Sequence, residues 1–249
     1  MRFAILALSS SHGPWSELLK AGPEKTWLSK SNLEHYAKVL ARKHGYYDLL
    51  VNKVFNSRFS DKVWKPKNIN LDRIKYTVID ENEIVVDLRE NWTNLVLKCL
   101  KGFEYSLKNW DFDYLIRVNS TAYIDTAALM RSLKNSGFPD YAGPLISKKS
   151  FVSGWAIILS KRALEILINA KKQDMIFDDE FIGKILEQHK IYPVDLPYIE
   201  VDNEKKLSEI SNSDTQEIAL WRFKSLNKSN HRNDAILMNQ FHQQRYMYE

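Results

Sequence analysis

The residues best suited to chemistry in this chain sit where apolar runs end. Tyr114–Val118 is a short apolar run with aromatic and β-branched members, which predicts a buried strand. It stops in three small polar residues, Asn119, Ser120 and Thr121. Tyr123 and Ile124 then return to apolar character before Asp125 opens a predicted helix. Ligands of open α/β sheets bind beyond the carboxyl ends of strands, so an amide and two hydroxyls at that place are candidate ligand contacts. A plain strand-to-turn corner is the competing reading. Arg117 puts a charge inside the run; in a central strand it needs a partner, either a phosphate or a nearby Asp. A second polar loop, Ser9-Ser10-Ser11-His12-Gly13-Pro14, follows the apolar run Phe3–Leu8. It is either a nucleotide-contacting loop after a first strand or an ordinary turn. It contains no Gly-x-Gly-x-x-Gly and no P-loop, so neither NAD-type nor Walker-type binding is supported. Further on, Asp178 and Asp179 stand side by side ahead of a helical pattern, where acidic residues favour a helix start near Glu180.

These residues need a scaffold, and the pattern around them supplies one. Phe3–Leu8 reads as the opening strand. Ser31 and Glu34 form a capping box for an amphipathic helix through Leu33, Tyr36, Ala37, Leu40 and Ala41, ending near Gly45. Tyr46–Val54 is extended, and residues 56–72, basic and containing Pro66, read as a surface excursion. Tyr76–Asp80 and Glu83–Asp87 are short strands around Glu81-Asn82. Asn91 or Thr93 caps the next helix, whose apolar face holds Leu95, Val96, Cys99, Leu100, Phe103 and Leu107. Tyr141–Ile146 and Phe151–Leu159 read as strands, the second with Ser153-Gly154-Trp155 inside it. Ser160 caps a helix to about Ala170, and Phe181, Ile182, Ile185 and Leu186 mark the inner side of another. Ile191–Asp195 and Tyr198–Val201 are extended, Asp202–Gln216 reads as a polar loop, and from Ile218 onward the chain is rich in Arg, Lys, His, Asn and aromatics. Strands alternating with helices predict an α/β sandwich. With no repeat and no linker, we expect one domain over residues 1–249, with its core in about 1–200 and a basic segment at 217–249.

The totals narrow the class. With 44% hydrophobic and 27% charged residues, the chain of 249 is long enough for a sizeable core, and wholesale disorder is excluded. Seven Trp and twelve Tyr suit either an aromatic-rich core or a surface that stacks on sugars or bases. The net charge of +5 favours polyanionic partners, phosphates included. Cys99 is the single cysteine, so no intramolecular disulfide can form and a reducing, cytoplasmic setting is expected. No run approaches the length of a membrane span, and no signal-peptide pattern is present. A nucleic-acid-binding module would account for charge and aromatics, but no Arg/Lys–aromatic motif of that kind occurs.

Four blocks, in order and at compatible spacing, resemble the Fringe and β-1,3-galactosyltransferase type of glycosyltransferase. Glu24-Lys25-Thr26-Trp27 resembles that family's Arg-x-Thr-Trp segment. Asp87-Leu-Arg-Glu-Asn-Trp-Thr-Asn-Leu-Val-Leu-Lys98 resembles its Asp-Phe-x-Asp-x-Tyr-x-Asn-Leu-Thr-x-Lys block. The stretch Phe112–Asp125 resembles its strand ending in Lys-x-Asp-Asp-Asp. Phe151–Ser160, paired with Asp178-Asp179-Glu-Phe-Ile-Gly183, resembles its Gly-containing strand and its Glu/Asp-Asp-x-x-x-Gly motif. Together they cover roughly residues 1–190. The resemblance implies a GT-A-like α/β fold, with a mixed, mostly parallel central sheet flanked by helices. It also implies transfer of a sugar from a nucleotide-sugar donor, UDP-linked by the same resemblance, to a hydroxyl of a glycan or similar acceptor, with inversion.

The departure is at the centre. Where the family carries an Asp-x-Asp that holds a divalent metal on the donor diphosphate, this chain has Asn119, Ser120 and Thr121. Hard cations want charged oxygen ligands, so no metal or other cofactor is expected. Either basic residues neutralise the diphosphate instead, with Arg222, Lys224, His231 and Arg232 as candidates, or the site is degenerate and only binds. The resemblance makes Asp179 the general base, with Asp178 second, against the reading that both simply start a helix. Donor contacts are expected from Ser9, Ser10, Ser11, Asp87, Lys98, Arg117, Asn119, Ser120, Thr121 and Gly154, with Trp155 as a sugar platform. Gly154 otherwise marks a strand bulge, Asp87 a strand end, and Lys98 a solvent-facing charge.

Overall fold

Strands and helices that each carry one apolar face can bury both kinds only by stacking helices on a sheet. The computed structural model describes residues 1–10, 14–29, 48–57, 71–78, 83–88, 92–146, 150–170, 177–210, 217–225 and 232–246. Its strands are β1 (Arg2–Ser10), β2 (Asp48–Ser57), β3 (Tyr76–Val78), β4 (Glu83–Val86), β5 (Tyr114–Asn119), β6 (Ala122–Ile124), β7 (Tyr141–Gly143), β8 (Ala156–Ser160), β9 (Val194–Asp195), β10 (Tyr198–Val201) and β11 (Leu220–Phe223). The main sheet runs β3-β4-β2-β1-β5-β8-β7-β9, and a smaller one runs β10-β11-β6. The four central strands, β4-β2-β1-β5, are mutually parallel. Antiparallel strands flank them: β3 beside β4, and β8 beside β5. This is the α/β architecture expected from the alternation of elements, with the mixed, mostly parallel sheet that the resemblance implied.

The order of the central strands matters for function. From β1 the chain winds outward through β2 to β4, then returns to lay β5 on the other side of β1. The winding direction therefore reverses between β1 and β5. The crevice beyond their carboxyl ends is where open α/β sheets hold ligands.

The described helices are α1 (Pro14–Ala21), α2 (Trp92–Asn109), α3 (Thr126–Asn135), α4 (Lys161–Ile168), α5 (Asp178–Gln188), α6 (Glu204–Ser208) and α7 (Asp234–Tyr246). Alternation along the strands divides the core in two. Phe3, Ile5, Tyr114, Ile116 and Val118 face α3 and the C-terminal elements, which bury Trp221, Phe223, Met238 and Phe241. Ala4, Leu6, Leu8 and Leu115 face α2, α4 and α5, which bury Phe103, Leu164 and Phe181. Arg117 follows Leu115 at the two-residue period, so its side chain enters this second layer. Among the described residues, no helix is long and apolar enough to cross a membrane.

Local signals hold where local chemistry decides. Asp125 caps α3, accepting a hydrogen bond from the Ala128 N–H at 2.8 Å. Ser160 caps α4 through the Ala163 N–H at 3.2 Å. The strand expected over Phe151–Leu159 is split: only Ala156–Ser160 joins the sheet, and Ser153, Gly154 and Trp155 form a turn. The Gly154 N–H is bonded to a side chain instead of a neighbouring strand, which ends the ladder there. Gly154 is therefore not a bulge within a strand. The neighbouring run stops at Gly143 because Pro144 has no N–H to continue it. The polar stretch after Val201 contains α6, capped by Asn203, whose side chain accepts from the Lys206 N–H at 2.8 Å. Thr93 lies inside α2 rather than before it. The excursion expected over 56–72 starts later, since Asn56 and Ser57 belong to β2; its residues 58–70, the helix expected over residues 31–45, Glu81-Asn82 and Asn91 lie outside the described residues.

Contacts that pin α7 to the core include the Tyr123 hydroxyl, 2.9 Å from His242 Nδ1, and Arg245, which donates to Asp125 at 2.5 Å. Burial lowers the pKa of His242, so the folded state favours the neutral imidazole. Its contribution to stability is complete above the ordinary imidazole range and is lost as pH falls through the lowered folded value. Thermal midpoints measured at about pH 7.5 and about pH 5.5 are expected to fall on acidification, and to fall less in His242→Gln. Equal falls in both proteins would remove His242 from the account.

Candidate active site

A cleft of about 520 Å³ opens at the carboxyl ends of β1 and β5, where the winding reverses. Its base is built by Ser9, at the end of β1, and Lys98 from α2. The Lys98 side chain is buried, and its ammonium donates to the Ser9 carbonyl, so it turns to the site and not to solvent. Asn119, the last residue of β5, accepts from the Thr121 N–H at 3.0 Å and from its hydroxyl at 2.7 Å. The Asn119 N–H donates to the Trp155 carbonyl at 3.2 Å, and the Phe223 N–H donates to the Thr121 carbonyl at 2.9 Å. Asn119, Ser120 and Thr121 all line the cleft, so the polar triplet is both a corner and a wall of the site.

One wall carries a buried ion pair. The Arg117 guanidinium donates to Asp178 in the first turn of α5, and both side chains are almost wholly buried. The partner that Arg117 required is thus an Asp. Burial pushes the Asp178 carboxyl above its ordinary range, against the pull of Arg117. Burial works against the Arg117 charge, but Asp178, Cys99 and Asp179 together outweigh it and hold the pKa above the usual guanidinium value. Cys99 lies beside the pair, and burial raises its thiol far above the usual range, as suits a packing group and not a nucleophile.

The next residue behaves differently. Asp179 is half-buried and lines the cleft; its Oδ2 accepts from the Gly154 N–H at 3.1 Å and its Oδ1 from the Glu180 N–H at 2.9 Å. Each carboxylate oxygen has two acceptor directions, so one remains on each. Helix α5 begins at Asp178, two residues earlier than expected, and its cap position holds Phe177, which makes no capping bond. Neither aspartate is therefore the cap of α5. A Cβ on Gly154 would lie 3.2 Å from Asp179 Oδ2 and 3.4 Å from its Cβ, so glycine lets the turn approach the carboxylate this closely.

The C-terminal segment completes the rim with Arg222, Lys224 and Arg232. Arg222 donates to Glu200 at 3.2 Å, and Arg232 to Asp234 at 2.7 Å. Gly154 and Trp155 also line the cleft. The Trp155 ring is only 2% exposed and packs edge-on against Tyr198 at 5.6 Å. It is a wall and not an open platform, which corrects the expectation from sequence. Asp87 is exposed just beyond β4, with its N–H on the Lys75 carbonyl, and it does not line the cleft. Ser10 ends β1, while Ser11 and His231 lie outside the described residues. Sequence reasoning missed Trp15 and Phe177, exposed aromatics that line the cleft. The available signals were a Trp directly behind Gly13-Pro14, and a large apolar residue where a polar helix cap is usual.

The oxygens at the Asn119 corner are neutral, and Asn119 Oδ1 is already engaged. Among the described residues, no cluster of three or more His, Cys, Asp or Glu could hold a metal ion. Of the two aspartates lining the cleft, Asp178 is locked to Arg117. These residues do not fit a hard divalent cation.

No protein-family model matches the sequence, and no curated protein matches it. Among solved structures, the chain is similar to a glycosyltransferase involved in glycosylation of the major capsid of PBCV-1. That likeness has a TM-score of 0.43 and 8% identity, covering 96% of this chain and 98% of the other. A nucleotide-diphospho-sugar transferase from Desulfovibrio desulfuricans G20 gives 0.43 and 10%, over 98% of this chain and 97% of that one. An active-site mutant of LgtC gives 0.47 and 8%, over 97% and 95%. At these scores the chemistry of the cleft has to be read from this chain's own residues.

Proposed function

We propose that this chain is a glycosyltransferase that moves a sugar from a nucleotide-sugar donor to a hydroxyl of a glycan or related acceptor. The reading takes residues 1–249 as one catalytic domain acting in the cytoplasm, with inversion and without a metal. One observation carries it: a half-buried carboxylate, Asp179, shares a cleft at the sheet's switch point with the rim cations Arg222, Lys224 and Arg232.

In this reading the acceptor oxygen attacks the anomeric carbon as the bond from that carbon to the diphosphate oxygen breaks. The hydroxyl proton passes to Asp179, and the negative charge that develops on the departing nucleoside diphosphate is met by the rim cations. The backbone N–H groups of Gly154 and Glu180 orient the Asp179 carboxylate, leaving one acceptor direction on each oxygen. Asn119, Ser120 and Thr121 supply hydrogen bonds to the ribose or diphosphate. A UDP-linked donor is favoured by the resemblance in the sequence.

The test is incubation with a panel of nucleotide sugars and glycan acceptors, with and without EDTA. Turnover that survives EDTA is the expected result. Turnover abolished by EDTA and restored by Mn²⁺ or Mg²⁺ would overturn metal independence. Donor binding without hydrolysis or transfer would mark a binding protein. Salt-sensitive nucleic-acid binding with no donor binding would sink the reading altogether. Within it, Gly154→Ala crowds the Asp179 carboxylate and should cut turnover about tenfold with little change in donor affinity, a loss typical of a slightly misplaced catalytic group.

A further inference from the structure

Arg232 is held more completely than a rim cation needs for solubility. Its Nε donates to Asp234 Oδ2 at 2.7 Å, and its Nη2 lies 2.5 Å from the same oxygen. The guanidinium carbon also sits 4.8 Å from the centre of the Trp15 ring. The other oxygen of Asp234 accepts from both the N–H and the hydroxyl of Ser225, each at 2.7 Å. Ser225 Oγ in turn accepts from the Asn233 N–H at 2.8 Å. Asp234 is fully buried, and a buried carboxylate is tolerated only when its oxygens are satisfied in this way.

The cluster joins parts distant in sequence: Trp15 in α1, Ser225 just after β11, and Arg232 and Asp234 at the start of α7. It comes together at the cleft, which Trp15, Lys224 and Arg232 all line. Arg222 has no comparable frame among the described residues, where its one ion pair is to Glu200. With Nε and Nη2 taken up by Asp234, Arg232 keeps Nη1, which bonds to no described residue. A planar guanidinium fixed on one edge and on one face loses little rotamer freedom when its remaining edge meets an anion.

We infer that Trp15 and Asp234 are positioning residues that pre-organise Arg232 to receive a phosphate of the donor. The inference rests on the nucleotide-sugar reading above and adds to it how one rim cation is aimed. Calorimetric titration of the full chain with inorganic pyrophosphate, with UDP and with uridine tests it. Trp15→Leu and Asp234→Asn should each weaken pyrophosphate and UDP binding about tenfold, as expected for loss of a cation–π contact or a charge-assisted hydrogen bond. Uridine affinity should not change. Trp15→Phe keeps an aromatic face and should stay within about threefold of wild type. Arg232→Lys, which has no planar group to stack on Trp15 and donate edge-on to Asp234, should resemble Arg232→Ala.

Unchanged pyrophosphate affinity in Trp15→Leu and Asp234→Asn would overturn the inference and leave the donor reading intact. Equal losses for uridine and pyrophosphate would also overturn it, by making Trp15 a platform for the base. Failure of the wild-type chain to bind pyrophosphate or any of UDP, GDP, ADP and CDP would sink the donor reading itself. Trp15 is partly exposed, so its variant carries the test even if Asp234→Asn does not fold.

Discussion

Asp179→Asn is expected to abolish transfer while leaving donor affinity within a few-fold of wild type. A positioned general base contributes about 10²–10⁴ in rate, and an amide cannot take the acceptor's proton. The substitution has a second effect that the geometry makes explicit. Both oxygens of Asp179 accept backbone N–H groups, one from Gly154 and one from Glu180. Asparagine offers only one acceptor oxygen, so one of those N–H groups is left facing an amide donor. That mismatch costs about 1–3 kcal/mol where water cannot reach the group. Activity should therefore be read beside a melting curve and a donor titration. Lost turnover with donor binding retained is the signature of a missing base. Turnover within about tenfold of wild type would move the base elsewhere.

Arg117→Leu should be among the most destabilising single changes in the chain. It leaves the Asp178 carboxyl buried without its counter-charge, and breaking a buried pair from one side costs about 3–5 kcal/mol. For a chain of this size that corresponds to a fall in melting temperature of roughly 6–20 °C. Removing both charges, as Arg117→Leu with Asp178→Leu, should recover much of the loss, because apolar replacement of a whole pair is often near neutral. A double-mutant cycle on melting or denaturant midpoints measures the coupling. An Arg117→Leu protein that melts within about 2 °C of wild type would show that the pair is not holding the wall together.

The parts of the site legible in the sequence are those that act over a turn of chain. Asp125 and Ser160 reach N–H groups three residues on, and both caps form. Apolar runs such as Phe3–Leu8 and Tyr114–Val118 become central strands because only paired backbone can be buried that deeply. The polar triplet after β5 reaches the cleft because its strand ends there. The failures share a cause. Ser153-Gly154-Trp155 leaves its strand because Asp179, 25 residues on, takes the Gly154 N–H. Asp87 sits in a good motif, yet lies at the end of β4, two strands away from β1.

Residue types and their periodicity thus determined the fold class, the main strands, two helix caps and the candidacy of Asn119–Thr121, while the role of Asp178–Asp179 came with the family resemblance. Which of these meet was settled by strand order. Placing β5 on the opposite side of β1 from β2 brings two loop ends together and opens the crevice. Arg117 finds Asp178 across 61 residues, and Trp15 finds Arg232 across the length of the chain. Such pairings depend on how whole layers pack, and no local pattern of side chains encodes them.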